Sequence, residues 1–325
     1  QVKNAFFKKK HNPLFFYDRN TEDQIKYASL MQHTSRIKQL GNSVVNDLLE
    51  EKRRELTRQA DMVFTLGTEK FTKASAKIYG KPRQSLVKKA EEILHEYTPT
   101  KKLPHIKTDT VVNKLRKGFH QSGIKGWNIR KDNIITSAVV SLHNRTLWLK
   151  KRERMQEPYV DRLTVHEIGT HIVRYENGLL QPLALFRQGF PGYLATEEGL
   201  AVYTEEQNGH LSANIMRNYA GRVLAVHLAQ EEDFMTVYNQ LLQYFKKNVA
   251  FKLTVRAKRG IHDTSQPGGH TKDYIYLKGF HDVKRFAKKN DLKELYYGKI
   301  GTKDIQKIKS IPGMKPPQFF PKNLQ

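Results

Sequence analysis

Residues 163–173 read LTVHEIGTHIV, and three of them, His166, Glu167 and His171, are types that bind a metal ion and move protons. The helical zinc pattern H-E-x-x-H sets its histidines four apart, on one helix face. Here they are five apart. On an ideal α-helix five residues advance about 500°, which leaves the two imidazoles about 140° apart. A π-type turn, with roughly 4.4 residues per turn, makes positions i and i+5 neighbours again, and such turns occur mostly at functional sites. Gly169 lies between the histidines, where backbone distortion is tolerated. The late histidine therefore does not exclude a metal site, but it demands a locally widened helix.

A catalytic zinc takes three protein ligands and keeps a fourth position open. The chain has no cysteine, so any zinc must be held by histidine and carboxylate. Glu167 is better used as a base, and the third ligand must come from another element. The stretch YLATEEGLAVYTEEQ offers one, with Thr196 read as the cap of a helix whose first turn holds Glu197 and Glu198, followed by Gly199. Either glutamate could be presented to the ion. A first-turn glutamate can also do no more than satisfy the helix dipole.

The elements that must position these residues belong to a folded chain of 325 residues, 38% hydrophobic, with 16 Phe and 15 Tyr. No run approaches the roughly 18 apolar residues of a membrane span. The first residue is Gln, as in a processed or trimmed end, and QVKNAFFKKKHNPLFFYD breaks its apolar pairs with lysines, unlike a signal peptide. A cytoplasmic protein is the expectation. The balance of 57 Lys and Arg against 32 Asp and Glu gives a net charge of +25. That field favours polyanions such as acidic protein tails, nucleic acid or anionic lipid. The basic residues are spread along the chain, which weakens the nucleic-acid reading, and a lysine-rich surface also serves solubility alone.

A helical region comes first. Thr21 with Gln24 reads as a capping box before a helix carrying Ile25, Leu30, Ile37 and Leu40. A second long helix follows in NSVVNDLLEEKRRELTRQADMVF. A third ends at Gly80, and a fourth opens at Pro82. TPTKKLPHIKT is the best linker, dividing a helical region, 1–100, from a catalytic region, 101–325. Beyond it come a helix capped by Thr108, then β-branched and aromatic stretches with HNRT as a turn, read as a small antiparallel sheet. Past residue 196 the pattern is helical again, interrupted by KRGIHDTSQPGGHTKD, and IPGMKPPQFFPKNLQ reads as a loosely packed tail.

HEIGTH followed by Thr196-Glu197-Glu198-Gly199-Leu200-Ala201 resembles a family of metallopeptidases that includes the microtubule-associated tyrosine carboxypeptidases, with bacterial relatives named for a Q-E-G-L-A motif. The segment 255–279, VRAKRGIHDTSQPGGHTKDYIYLKG, and SAKIYGKP look like that family too, and the similarity runs from about Gly67 to Gly279. The resemblance implies a mainly helical α+β, zincin-like fold with the small sheet beside the histidine helix. It implies zinc on His166, His171 and Glu198, with Glu167 as general base, and removal of a C-terminal Tyr or Phe from peptides. Glu197 stands where the motif name has Gln.

Such chemistry needs a hydrogen-bond donor for the developing oxyanion. Tyr203, Tyr276, His262 and His270 are candidates, and Tyr276 is preferred because it falls in the family-like segment. A free α-carboxylate is best bound by arginine, so Arg256, Lys258 and Arg259 are expected there, with Lys272 as a weaker fourth. The strand TLWLKK could pair with an extended substrate. The partner is a peptide or protein C-terminal tail, acidic if the charge selects it, with tubulin implied only for a eukaryotic source and no membrane partner. The alternative is a non-catalytic basic protein that binds nucleic acid or another polyanion, with affinity falling steeply in salt.

Overall fold

Helix-forming periodicity dominates the sequence, and the computed structural model is mainly helical with two small sheets, an α+β protein. It describes residues 2–18, 21–36, 43–99, 105–134, 136–151 and 154–325. The expected apolar positions Ile37 and Leu40 lie outside the described residues, as do the side chains of the expected caps Thr21 and Thr108. Two compact units form, Gln1–Pro99 with Ala213–Lys278, and Thr100–Ser212 with Gly279–Gln325. The chain first changes unit within the Pro-containing stretch at 98–108. It then returns to the first unit at Ala213, a return that no shift of composition marks. Among the described residues no helix is long and apolar enough to cross a membrane.

In the first unit the helix Gln84–Glu96 buries Val87, Ala90 and Leu94, a stripe at i, i+3 and i+7. It packs against Ala213–Leu228, which buries Met216, Tyr219, Ala220, Val223 and Leu224. Each fully buried aliphatic side chain is worth about 1.5–3 kcal/mol. Arg217 fixes the contact, donating to the carbonyls of Leu94, Tyr97 (2.8 Å) and Tyr244 (2.6 Å), so the orphan carbonyls at a helix end gain a partner. The opening FF pair belongs to a helix, Val2–Lys9, whose Phe6 contacts Phe234, Tyr238 and Phe251 with ring centroids 5.1, 4.9 and 5.1 Å away. In the glycine-rich stretch, a side chain on Gly269 (φ 138°) would meet the Ala257 carbonyl at 2.0 Å. Only glycine lets this loop lie so close to the helix Lys247–Lys258.

The second unit holds the sheets. Asn128–Asp132, Ala138–Ser141 and Thr146–Lys150 form one sheet with Thr146–Lys150 in the centre. A four-residue turn with Arg145 at φ 43° joins the last two strands into the expected antiparallel hairpin. Asn128–Asp132 pairs with the far edge of the central strand and runs parallel to it, which corrects the expectation of a purely antiparallel sheet. With one outer strand parallel and the other antiparallel to the centre, the two outer strands run in opposite directions. The expected strand addition to TLWLKK also fails, because both edges of that strand are already paired.

The tail is not loose. Asn177, fully buried, accepts from the backbone of Gln318 and Phe319 (2.9 Å each) and donates to the Phe319 carbonyl (2.8 Å). Gln181 bridges Lys315 in the same way, and Phe320 lies against Tyr296.

Candidate metal centre

One continuous helical run carries the histidines, through Glu157–Leu163, Thr164–Ile172 and Val173–Leu179. Its middle nine residues are π-helical, as the five-residue spacing requires. Thr170 supports the wide turn by donating its hydroxyl back five residues to the Val165 carbonyl (3.4 Å), and the Tyr296 hydroxyl donates to the Gly169 carbonyl (3.3 Å). Burial pushes the Tyr296 phenol up to about 12, so it stays a donor at neutral pH. Gly118 of the helix Thr108–Gln121 lets that helix approach, since a side chain there would meet Thr164 at 2.4 Å.

The neighbouring helix, Leu194–Gln207, begins two residues before Thr196. Thr196 is therefore inside it and not its cap. Its hydroxyl instead accepts from the Thr302 backbone (3.1 Å). Gly199 meets Gly279 where this helix crosses Ile275–Ala287. A side chain on Gly199 would lie 2.0 Å from the Gly279 carbonyl carbon, and one on Gly279 1.8 Å from the Ala195 oxygen. The crossing tolerates nothing larger than glycine.

Together these elements converge three ligand atoms. His166 Nε2 and His171 Nε2 each lie 3.9 Å from Glu198 Oε2, and the three groups offer ligand atoms all within 4.8 Å of one another. Tetrahedral ligands about 2.1 Å from one zinc lie about 3.4 Å apart, so the two 3.9 Å spacings would close by about half an ångström on binding one ion. Two imidazoles and a carboxylate are also a donor set that catalytic zinc sites use. Glu167 is half-buried, and its side chain makes no hydrogen bond to another described residue.

Behind the Nε2 atoms, each Nδ1 has a carboxylate. His166 Nδ1 lies 2.6 Å from Glu205, which also accepts from Arg162 at 2.8 Å. His171 Nδ1 lies 2.8 Å from Glu197, which also accepts from Arg174 and from Lys299 (2.5 Å). Burial opposes the ionisation of Glu197, yet Lys299, Arg174 and His171 hold its carboxyl well below the usual range. Burial likewise opposes ionisation of Glu205, and His166 with Arg162 outweighs it. For His171, burial works against protonation while Glu197, Glu167 and Glu198 raise its pKa above the ordinary value. Glu197 thus has its oxygens engaged elsewhere, and Glu198 is the glutamate grouped with the histidines.

Sequence reasoning missed Glu205, Arg162, Arg174 and Lys299. Glu205 had a signal, because it follows Glu198 by seven residues and so shares its helix face. Arg174 follows His171 by three. Lys299 is about a hundred residues from Glu197 and has no local signal.

The remaining candidates belong to the first unit, apart from Tyr203, which is half-buried on the glutamate helix. Asp273, almost fully buried, gathers arginines. Arg256 donates to both its oxygens and Arg259 to one at 3.2 Å, and its carboxyl is held below the usual range, against burial, by Arg256, Arg222 and Arg259. Arg222 lies over the rings of Tyr276 (4.5 Å) and Tyr219 (5.1 Å), which stack on each other. Lys272 is half-buried in the turn Lys272–Tyr274. Lys258 is fully buried, and its ammonium donates to the carbonyls of Glu232 (2.8 Å) and Gln266 (2.5 Å), which leaves it a structural part in place of a ligand contact. Burial and Arg259 push His270 down to about 3. His262 Nδ1 lies 2.8 Å from the Phe15 carbonyl.

A family model described as Microtubule-associated tyrosine carboxypeptidase matches residues 4–325, and the chain belongs to that family. Among its relatives, Microtubule-associated tyrosine carboxypeptidase 1 of Mus musculus is 29% identical over 208 residues, which is 60% of this chain and 43% of the relative. Putative tyrosine carboxypeptidase MATCAP2 of Mus musculus is 30% identical over 177 residues, 51% of this chain and 33% of the relative. The human form of the first is 27% identical over 208 residues, with the same shares, 60% and 43%. The chain thus spans less than half the length of the curated relatives it matches.

Proposed function

We propose that this chain is a zinc carboxypeptidase of zincin type that removes a C-terminal Tyr or Phe from peptides or protein tails. The observation that carries the reading is the convergence of His166 Nε2, His171 Nε2 and Glu198 Oε2 on a π-widened helix. Its relatives' names, tyrosine carboxypeptidase, support the substrate. Zinc, when bound by these three residues, would supply Lewis acidity, polarising a carbonyl and making a water acidic near neutral pH.

The chain's own residues do the rest. Glu167 takes the proton of the attacking water on its carboxylate and delivers it to the leaving amine. Its lack of a hydrogen-bond partner among the described residues leaves the carboxylate available for that work. Within the first unit, Arg256 and Arg259, oriented by Asp273 and with Lys272 nearby in sequence, form a cationic cluster whose forks suit a carboxylate. Asp273 balances only part of this cluster, so an incoming carboxylate meets net positive charge. The partner is an acidic tail, drawn by the net charge of +25.

Metal analysis and a peptide assay test the reading together. About one zinc per chain is expected, lost in His166→Ala, His171→Ala and Glu198→Ala. Peptides ending in free Tyr should lose it, and amidated ones should not. Glu167→Gln should keep the metal and lose roughly 10²–10⁴ of turnover, the usual weight of a general base. Wild-type protein without zinc, or equal cleavage of amidated peptides, would overturn the reading.

A further inference from the structure

The segment 295–302 touches the histidine site at four points. Tyr296 donates to the π-turn at Gly169, Thr302 donates to Thr196, the carbonyls of Leu295 and Ile300 accept from Arg174 (2.9 and 2.5 Å), and Lys299 reaches Glu197. Arg174 is fully buried and Lys299 is 4% exposed, so both cations have left water to meet one carboxylate. Removing one partner of a buried ion pair leaves the other charge uncompensated, so the three groups depend on one another. Among the described residues, the anion they fix, Glu197, also meets His171 Nδ1 (2.8 Å).

We propose that Glu197 is a positioning residue for the metal site, and that Arg174 and Lys299 hold it as the anion that turns His171 Nε2 toward His166 and Glu198. The inference rests on the metal site proposed above. An imidazole has one lone pair to give, and which nitrogen gives it is decided by the hydrogen bond at the other. With Glu197 ionised, His171 carries its proton on Nδ1 and keeps Nε2 for the ion. Carboxylate contact also makes that nitrogen a stronger base. Arg174 is on the same helical run as His171, three residues later. The guanidinium therefore ties Glu197 to the run whose imidazole it orients, while Lys299 supplies the second charge from outside.

The test compares wild type with Glu197→Gln, Lys299→Met, and the double variant Glu197→Gln with Lys299→Met. Zinc affinity is read by competition with a chromophoric chelator, the cobalt-substituted absorption spectrum reports ligand geometry, and melting of the chelated protein reports folding. Glu197→Gln and Lys299→Met should each weaken zinc about 10- to 100-fold and shift the cobalt spectrum. In the double variant, removing Lys299 should add little, because its target charge is already gone. A Glu197→Gln protein that binds zinc within twofold of wild type, with an unchanged cobalt spectrum, overturns the proposal. Should Glu197→Gln alone fail to fold with its two unpaired cations, the double variant is read by the same criteria. Wild type that holds no zinc removes the metal site itself. Wild type that holds zinc, beside variants that match it, removes only the role of Glu197.

Discussion

Each histidine of the pair is set by atoms it does not share with the other, His166 by Glu205 and His171 by Glu197, and both then present Nε2 to Glu198. Lys258 is the opposite case, a charged group buried without any carboxylate in hydrogen-bond reach among the described residues. Burial lowers its pKa from the ordinary 10.5 to about 8, with Asp233, Asp263 and Glu232 resisting. Below pH 8 the amine is charged in both folded and unfolded chains, so the full cost of burying it is present. Between about 8 and 10.5 the unfolded chain binds the extra proton, and stability therefore rises with pH across that window, by about 3 kcal/mol at most. Urea denaturation at pH 7.5 and pH 10 should show this gain in wild type, and Lys258→Met should lack it. A gain of equal size in both would show that another group titrates. At this scale the sequence revealed the metal-binding types and their spacing, because those are local. It did not reveal that Lys258 points inward from a basic run, or that Lys299 meets Glu197, since both depend on chain segments far away.

Helices do the positioning, and the site depends on how closely they cross. Gly199 and Gly279 are the tightest point, where even one methyl group would overlap backbone. Gly199→Ala should therefore separate Leu194–Gln207 from its neighbour and cost about 2 kcal/mol or more, within the range for overpacked interiors. Urea denaturation measures it, and a loss under 0.5 kcal/mol would mean the crossing relaxes easily. The π-turn was legible because a five-residue histidine spacing has only one helical solution. The start of the glutamate helix was not, because Thr196 looks like a cap and is used as an acceptor for Thr302 instead. Strand direction was hidden as well. Residue types mark strands, but which edge Asn128–Asp132 joins is decided by a connection that no turn motif announces.

Across the whole molecule the charge is the dominant field. In the first unit a cleft of about 720 Å³ is lined by Arg58, Lys70, Lys73 and Lys77 against a single acid, Asp61. Attraction of this kind is screened beyond about 8 Å at physiological salt. For a peptide with an acidic stretch before its terminal Tyr, kcat/KM should fall about tenfold or more between low salt and 0.3 M. A neutral peptide with the same end should change little, and equal salt sensitivity in both would remove charge from substrate selection. A different consequence follows from Lys299, the cation that meets Glu197 from about a hundred residues downstream. A ribosome adds about 5–20 residues per second, so Glu197 leaves it roughly 5–20 s before Lys299 does. During that interval the nascent chain carries both histidines and both glutamates with Glu197 still lacking its second cation. The centre is therefore finished late in synthesis, and a chain truncated before Lys299 would carry His166, His171 and Glu198 without the lysine that meets Glu197.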